Sequence, residues 1–304
     1  DARYFEALEK SLKGKAVKPF LYEGLDSVSD YLKNNRINKV GVDFGTTTLK
    51  ENAEYKKAGI KTFDCGDEIA RIRAVKSAEE IENIKKACSI TEKAFYKAVK
   101  SLRLGITEKE FCEILENEYY KLGADGLAFP SIVAFGKNSS VPHHVTGDTK
   151  LKINDVVLVD TGCTYKGYSS DFTRTLFFGS PDEEFIKAYN AVLETNVLAE
   201  SKATAGVTGK ELDAIARENL DKFGLAEYFT HSLGHGLGLE IHERPYLSRK
   251  GEGTLSEGMA FTIEPGVYFK GKFGIRIEDT LIIENEKAKR LFGDEKDLII
   301  KKIN

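Results

Sequence analysis

The 304-residue chain is 41% hydrophobic, long enough for one large domain plus a small one and able to supply a sizeable core. Its 45 basic and 48 acidic residues nearly cancel and no basic run stands apart, so nucleic acid is not an implied partner. No stretch approaches the roughly 18 uninterrupted apolar residues of a membrane helix, and the opening Asp1-Ala2-Arg3-Tyr4-Phe5 has no signal-peptide layout, so no membrane contact and a cytoplasmic location are expected. Cys65, Cys88, Cys112 and Cys163 lack a C-x-x-C spacing and suit reduced thiols, with Cys163 near the chemistry described below.

From Asp1 to about Ala74 the pattern predicts a helical start and then short β-prone runs, Val40-Gly41-Val42 and Ile60-Lys61-Thr62-Phe63, split by turn residues. This is a small α/β domain over 1–74. The missing initiator Met and the mid-domain character of the start predict that it is incomplete, by processing or truncation. A long amphipathic helix follows, capped by Ser77 with Glu80 three positions on and running through Ile81, Ile84, Cys88, Phe95 and Val99. The second domain, 75–304, begins just before it.

An internal repeat appears at an offset of 101 residues, where Gly105-Ile-Thr-Glu-Lys-Glu-Phe parallels Gly206-Val-Thr-Gly-Lys-Glu-Leu. Seven of nineteen positions match between 105–123 and 206–224, against roughly one expected by chance. Each copy has a capping box, Thr107 with Glu110 and Thr208 with Glu211, and each closes at a glycine, Gly123 or Gly224. Shared caps account for only part of the identity. Two related halves are therefore predicted, each a long helix, a second helix and then strands.

The strands of the first half include Val156–Asp160 and Tyr168–Leu176, and those of the second Met259–Glu264 and Gly274–Leu281. Each run carries an acid: Asp160, Asp171, Glu264 and Glu278. Period-two alternation puts Asp171, Thr173 and Thr175 on one face, and likewise Arg276, Glu278 and Thr280. A carboxylate in an apolar strand is costly unless paired, hydrogen-bonded or metal-bound. Any one of them could be a strand-end ion pair, but one pair per half calls for a common partner. Two divalent cations balance four carboxylates, and a neutral histidine completes the set without adding charge. Of the five histidines, His143, His231, His235 and His242 fall in two segments beside glycine or acidic residues, and the glycine content of 231–243 argues against a stable helix there. His144, next to His143, should point the other way in an extended segment.

These motifs carry a family resemblance. Pro142-His143, Asp160-Thr-Gly, Ser170-Asp171-Phe-Thr-Arg-Thr, Gly234-His235-Gly-Leu-Gly-Leu-Glu-Ile-His242-Glu, Glu264-Pro-Gly-Val-Tyr268 and Arg276-Ile-Glu278-Asp-Thr together resemble the prolidase and aminopeptidase P branch of the pita-bread metallopeptidases over about residues 75–304. The resemblance implies an α+β pita-bread fold with a pseudo-two-fold repeat, and hydrolysis of Xaa-Pro peptide bonds as an aminopeptidase or a dipeptidase. It further implies that Asp160 and Asp171 bind one metal, His235 and Glu264 the other, and that Asp171 and Glu278 bridge them. His143, His231 and His242 correspond to histidines that contact substrate or stabilise the intermediate, and Arg276 to an arginine that supports the ligands. Manganese or cobalt is the expected metal, with iron or zinc as alternatives, and a homodimer the expected assembly. Two close cations lower the pKa of a shared water, the implied nucleophile, and Glu264 would take its proton.

Three other readings fit parts of the sequence. A methionine-type aminopeptidase shares the ligands, but the histidine cluster, Arg276-Ile-Glu-Asp-Thr and the extra N-terminal domain resemble the proline-specific branch. A non-catalytic peptide-binding module of this fold generally loses ligands, whereas all five are present. Val42-Asp-Phe-Gly-Thr-Thr-Thr48 resembles a phosphate loop, but neither a second loop nor an adenosine motif follows, and a strand running into a turn explains it.

Overall fold

The computed structural model describes residues 2–293 and 296–301. The chain divides into two compact units, Asp1–Ile72 and Arg73–Asn304.

In the first unit, strands Lys39–Val42 and Lys61–Asp64 pair in parallel. Parallel strands need a crossover, and the helix Leu49–Lys57 supplies it, opened by a capping box of Thr48 and Glu51. Between strand and helix, the amides a phosphate would need are engaged by the chain itself. Gly45 N–H donates to the Asp43 carboxylate (2.8 Å) and Phe44 N–H to that of Asp64 (3.2 Å). The segment is a strand running into a turn.

In the second unit two halves repeat one plan, as the pita-bread resemblance implies. Helix Ala78–Val99 is followed by helix Glu108–Lys121 and a sheet ordered Ile300–Lys301, Phe172–Phe178, Asp155–Thr161, Ile132–Phe135. Helix Glu183–Lys202 is followed by helix Gly209–Lys222 and a sheet ordered Glu243–Leu247, Gly234–Gly236, Ala260–Ile263, Asp279–Glu284, Lys287–Arg290. The first helix buries Ile84, Cys88, Thr91 and Phe95 at helical spacing against Val157, Val159 and Phe172. The helix Glu183–Lys202 likewise buries Phe185, Ala188 and Val192 in a second cluster with Phe261, Ile263 and Ile275. Each half thus centres on its own core, in which one fully buried phenylalanine contributes about 1.5–3 kcal/mol.

The repeated residues have a backbone explanation. Gly105 and Gly206 both take positive φ, as do Gly123 and Gly224, where a Cβ would be strained. Gly105 N–H donates to the Leu151 carbonyl (2.9 Å) as Gly206 N–H does to that of Leu255 (2.8 Å). Leu151 N–H returns to Ile106 and Leu255 N–H to Val207, both at 2.8 Å. Both capping boxes form. The halves differ one residue further on. Glu108 buries its carboxylate, whereas a Cβ at the matching Gly209 would meet the Tyr246 carbonyl oxygen at 2.1 Å.

Two expected strands are interrupted. The run from Tyr168 to Leu176 breaks at Ser170-Asp171 and resumes at Phe172, and the run from Gly274 to Leu281 breaks at Ile277-Glu278 and resumes at Asp279. Each break falls on an acid, so these carboxylates leave the sheet ladder and turn toward the seam between halves. Even so, Arg276 and Glu278 both line one cavity with Asp171, and Thr173 reaches the Glu278 carboxylate, while the intervening Phe172 and Ile277 are buried in the apolar cores. At the seam an antiparallel bridge joins Thr173 to Glu278.

Candidate active site

The nine residues singled out from the sequence, Asp160, Asp171, His143, His231, His235, His242, Glu264, Arg276 and Glu278, all line one cavity of about 570 Å³, and the flanking His144 does not. Asp160 is the penultimate residue of the strand Asp155–Thr161, Glu264 follows the strand Ala260–Ile263, and Asp171 and Glu278 occupy the breaks. His235 is at the centre of the short strand Gly234–Gly236, packed so closely that a Cβ at Gly234 or Gly236 would strike the carbonyl oxygens of Thr262 or Arg244 at 2.0 and 2.1 Å. Those glycines let the histidine backbone enter the sheet.

Asp171, His235 and Glu278 bring one donor atom each to within 4.8 Å of one another. His235 Nε2 lies 3.5 Å from Asp171 Oδ2 and 3.4 Å from Glu264 Oε1. Its other nitrogen, Nδ1, meets the Gly236 carbonyl at 3.1 Å, which assigns the proton there and leaves a lone pair on Nε2. Burial, with His242 beside it, holds His235 down to about 4, so the ring is neutral. A lone pair aimed at two carboxylate oxygens is repulsive until a cation stands among them.

The acids give the same indication. Burial pushes Glu264 up to about 8, Asp160 adding to the rise and Arg276 opposing it. Asp171 and Glu278 are raised well above the ordinary carboxylate range by burial first and then by neighbouring acids, Asp160 for Asp171 and Asp171 for Glu278. Asp160 Oδ1 is buried without a hydrogen-bond partner. Four crowded carboxylates, one orphaned oxygen and a neutral imidazole fit divalent cations, which offset the repulsion and take up the free lone pairs.

Neighbouring side chains hold the set in place. Arg276 donates to Asp160 Oδ2 (2.5 Å), to Thr173 Oγ1 (3.2 Å) and to the Tyr268 hydroxyl (2.6 Å). Thr173 Oγ1 in turn donates to Glu278 Oε2 (2.5 Å), and Thr262 Oγ1 to Glu264 Oε1 (3.1 Å). Tyr268 stands 2.9 Å from His231 Nε2, while His231 Nδ1 meets the Ser232 carbonyl at 2.8 Å. With Nδ1 protonated, Tyr268 donates to Nε2. His231, held down to about 3 by burial and Arg276, is a neutral ring with both nitrogens engaged. The loop bearing it is fastened by Arg217, which donates to the carbonyls of Phe229 (2.9 Å) and His231 (2.6 Å) and pairs with buried Asp213.

His143 and His242 are exposed on the cavity wall, and the His242 ring meets that of His235 edge to face at 4.3 Å. His144 turns away to buried Glu108 (2.9 Å), whose carboxylate also accepts from the Phe135 and Gly147 amides and the Asn138 side chain. Cys163 does not line the cavity. It is buried beneath it against Thr91 and the Ala87 carbonyl, and burial raises its thiol pKa. Tyr268, Thr173, Thr262, Arg217 and Asp213 were not assigned roles from the sequence. Tyr268 sits inside a quoted motif and Thr173 shares a face with Asp171, whereas nothing local marks Asp213 or Arg217.

Fold and site define a metal-dependent peptidase. Residues 82–285 match the model of metallopeptidase family M24, and the chain belongs to that family. It is 40% identical over 297 residues to an Xaa-Pro dipeptidase of Pyrococcus furiosus, covering 97% of this chain and 84% of the relative. Among solved structures it resembles an Xaa-Pro dipeptidase from Bacillus anthracis (TM-score 0.93, 36% identity, 98% of this chain and 84% of that one). It also resembles an X-Pro aminopeptidase from Thermotoga maritima (TM-score 0.91, 36% identity, 99% and 84%).

Proposed function

We propose that the protein hydrolyses the bond between a residue and a following proline, using two divalent ions, manganese or cobalt, held by Asp160, Asp171, His235, Glu264 and Glu278. The observation that carries this is the His235 Nε2 lone pair set between Asp171 and Glu264, in a cavity that also holds Glu278 and the partnerless Asp160 oxygen. The names of the relatives support proline as the residue after the cleaved bond. So does the rest of the cavity lining, where Phe129, Pro130, Ile132, Pro142 and Ile241 offer apolar surface to a pyrrolidine ring.

The ions, when bound, polarise the substrate carbonyl and lower the pKa of the attacking water. Glu264 accepts the water proton and delivers it to the proline nitrogen, which has no N–H of its own before cleavage. His143 and His242 face the cavity and donate to the developing oxyanion. Arg276 holds the Asp160 carboxylate in orientation, and Tyr268 passes that order on to His231.

The deciding experiment assays Ala-Pro and a longer peptide beginning Ala-Pro in parallel, each with manganese, cobalt and zinc, beside a matched peptide with Ala in the second position. Faster cleavage of both proline substrates than of the alanine one is expected. Equal kcat/KM for proline and alanine, or preference for Met-Ala starts, overturns the proline assignment.

A further inference from the structure

Beneath the metal-ligand cluster lies a residue that touches none of the ligand side chains. Asn196 projects from the helix Glu183–Lys202, is fully buried, and donates from one amide nitrogen to two carbonyls, those of Ile263 (3.0 Å) and Ile277 (3.1 Å). Ile263 immediately precedes Glu264, and Ile277 immediately precedes Glu278. Both bonds therefore end one residue short of a carboxylate in the cluster, on two separate segments of chain.

The amide orientation follows from its partners. Carbonyl oxygens only accept, so Nδ2 faces them, and the Lys296 ammonium only donates, so Oδ1 faces it at 2.5 Å. Lys296 also reaches Glu200 Oε1 (2.6 Å) and Asp279 Oδ2 (2.8 Å), so each of its three protons has an acceptor. With that ammonium fixed, Asn196 has one rotamer in which both of its ends are satisfied. The first half has a lighter counterpart, Thr91 of the helix Ala78–Val99, whose hydroxyl meets Ser170 Oγ (2.7 Å) one residue before Asp171.

We infer that Asn196 is a positioning residue that sets the spacing between Glu264 and Glu278, and so governs how tightly the centre holds its ions. The inference rests on the metal-site reading above. The isosteric Asn196→Asp keeps the volume and the Lys296 partner but removes both donors, leaving a carboxylate against two carbonyls. Groups that orient ligands from outside typically change metal affinity about 10- to 100-fold.

The test is calorimetric titration of chelator-stripped protein with Mn²⁺, comparing wild type, Asn196→Asp and Thr195→Val. Thr195 is equally buried on the same helix but bonds back to the Ala191 carbonyl, so its variant reports a stability loss alone. Expected are a roughly 10- to 100-fold rise in Kd for Asn196→Asp with the far-ultraviolet spectrum retained, and an unchanged Kd for Thr195→Val. Should Asn196→Asp fail to fold, Asn196→Ser, too short to reach both carbonyls, is titrated in its place. A Kd equal to wild type in the folded Asn196 variant overturns the inference, whatever its melting temperature. A wild-type protein that takes up no Mn²⁺ overturns the metal-site reading itself.

Discussion

Thr173 and Glu278 are joined twice across the seam between the two halves: the Glu278 amide donates to the Thr173 carbonyl (3.1 Å), and the Thr173 hydroxyl donates to the Glu278 carboxylate (2.5 Å). The same hydroxyl accepts from Arg276 Nε (3.2 Å), so one small side chain fixes a proposed ligand and the arginine behind it. Thr173→Val keeps the shape and the backbone bond but deletes both bonds of the hydroxyl, to Glu278 and from Arg276. Leaving buried partners unsatisfied costs about 1–3 kcal/mol, so the melting temperature should fall and Mn²⁺ should bind more weakly. A variant that matches wild type in both would show that the seam is held by other contacts.

Chelation should abolish activity, because Asp160, Asp171, Glu264 and Glu278 crowd one cavity and need cations among them to offset their mutual repulsion. Manganese or cobalt should restore it. Elemental analysis of an active preparation that finds no divalent metal would end the two-ion proposal.

His235 and His143 should fail in different ways. His235→Ala removes a proposed ligand, so an ion should bind more weakly and excess metal should partly restore activity. His143→Ala should retain its metal and lose roughly 10²- to 10³-fold in kcat without rescue. Metal lost from the His143 variant would contradict its placement as an oxyanion donor.

His144→Ala should remain active, but the structure adds a stability cost that the sequence did not suggest. Its ring is one of four groups satisfying the buried Glu108 carboxylate. The loss is about 1 kcal/mol. Glu108→Gln should cost more, roughly 2–3 kcal/mol, because an amide NH₂ would face donors where a carboxylate oxygen accepted them. Thermal unfolding of the two variants with kcat measured alongside separates this from catalysis.

Much of the site was legible because its chemistry forces unusual residue choices. Acids in apolar strands and histidines among glycines are conspicuous in a one-dimensional pattern, and the repeat was visible because Gly105, Gly123, Gly206 and Gly224 all occupy left-handed backbone positions. The breaks at Asp171 and Glu278 were not visible, because the residues on either side read as continuous strand and the interruption comes from pairing across the seam. Arg217 and Asp213 were hidden for another reason. On an amphipathic helix a buried ion pair four residues apart looks like ordinary surface charge, and only the loop carbonyls it grips reveal its task.

The twin cores have a mechanical consequence. Because each half packs mainly on its own apolar cluster, much of what lies between them at the site is polar, and bound cations act there as a clasp. Stripped of metal, the two acids from each half have no cation between them, and Arg276 is the one cavity-lining arginine or lysine left to tie the second half to Asp160 of the first. Breathing should therefore start at the seam while both cores stay closed. Amide protons at Thr173, Ile277 and Glu278 should exchange with solvent sooner after chelation, and those within the helices Ala78–Val99 and Glu183–Lys202 should keep their protection.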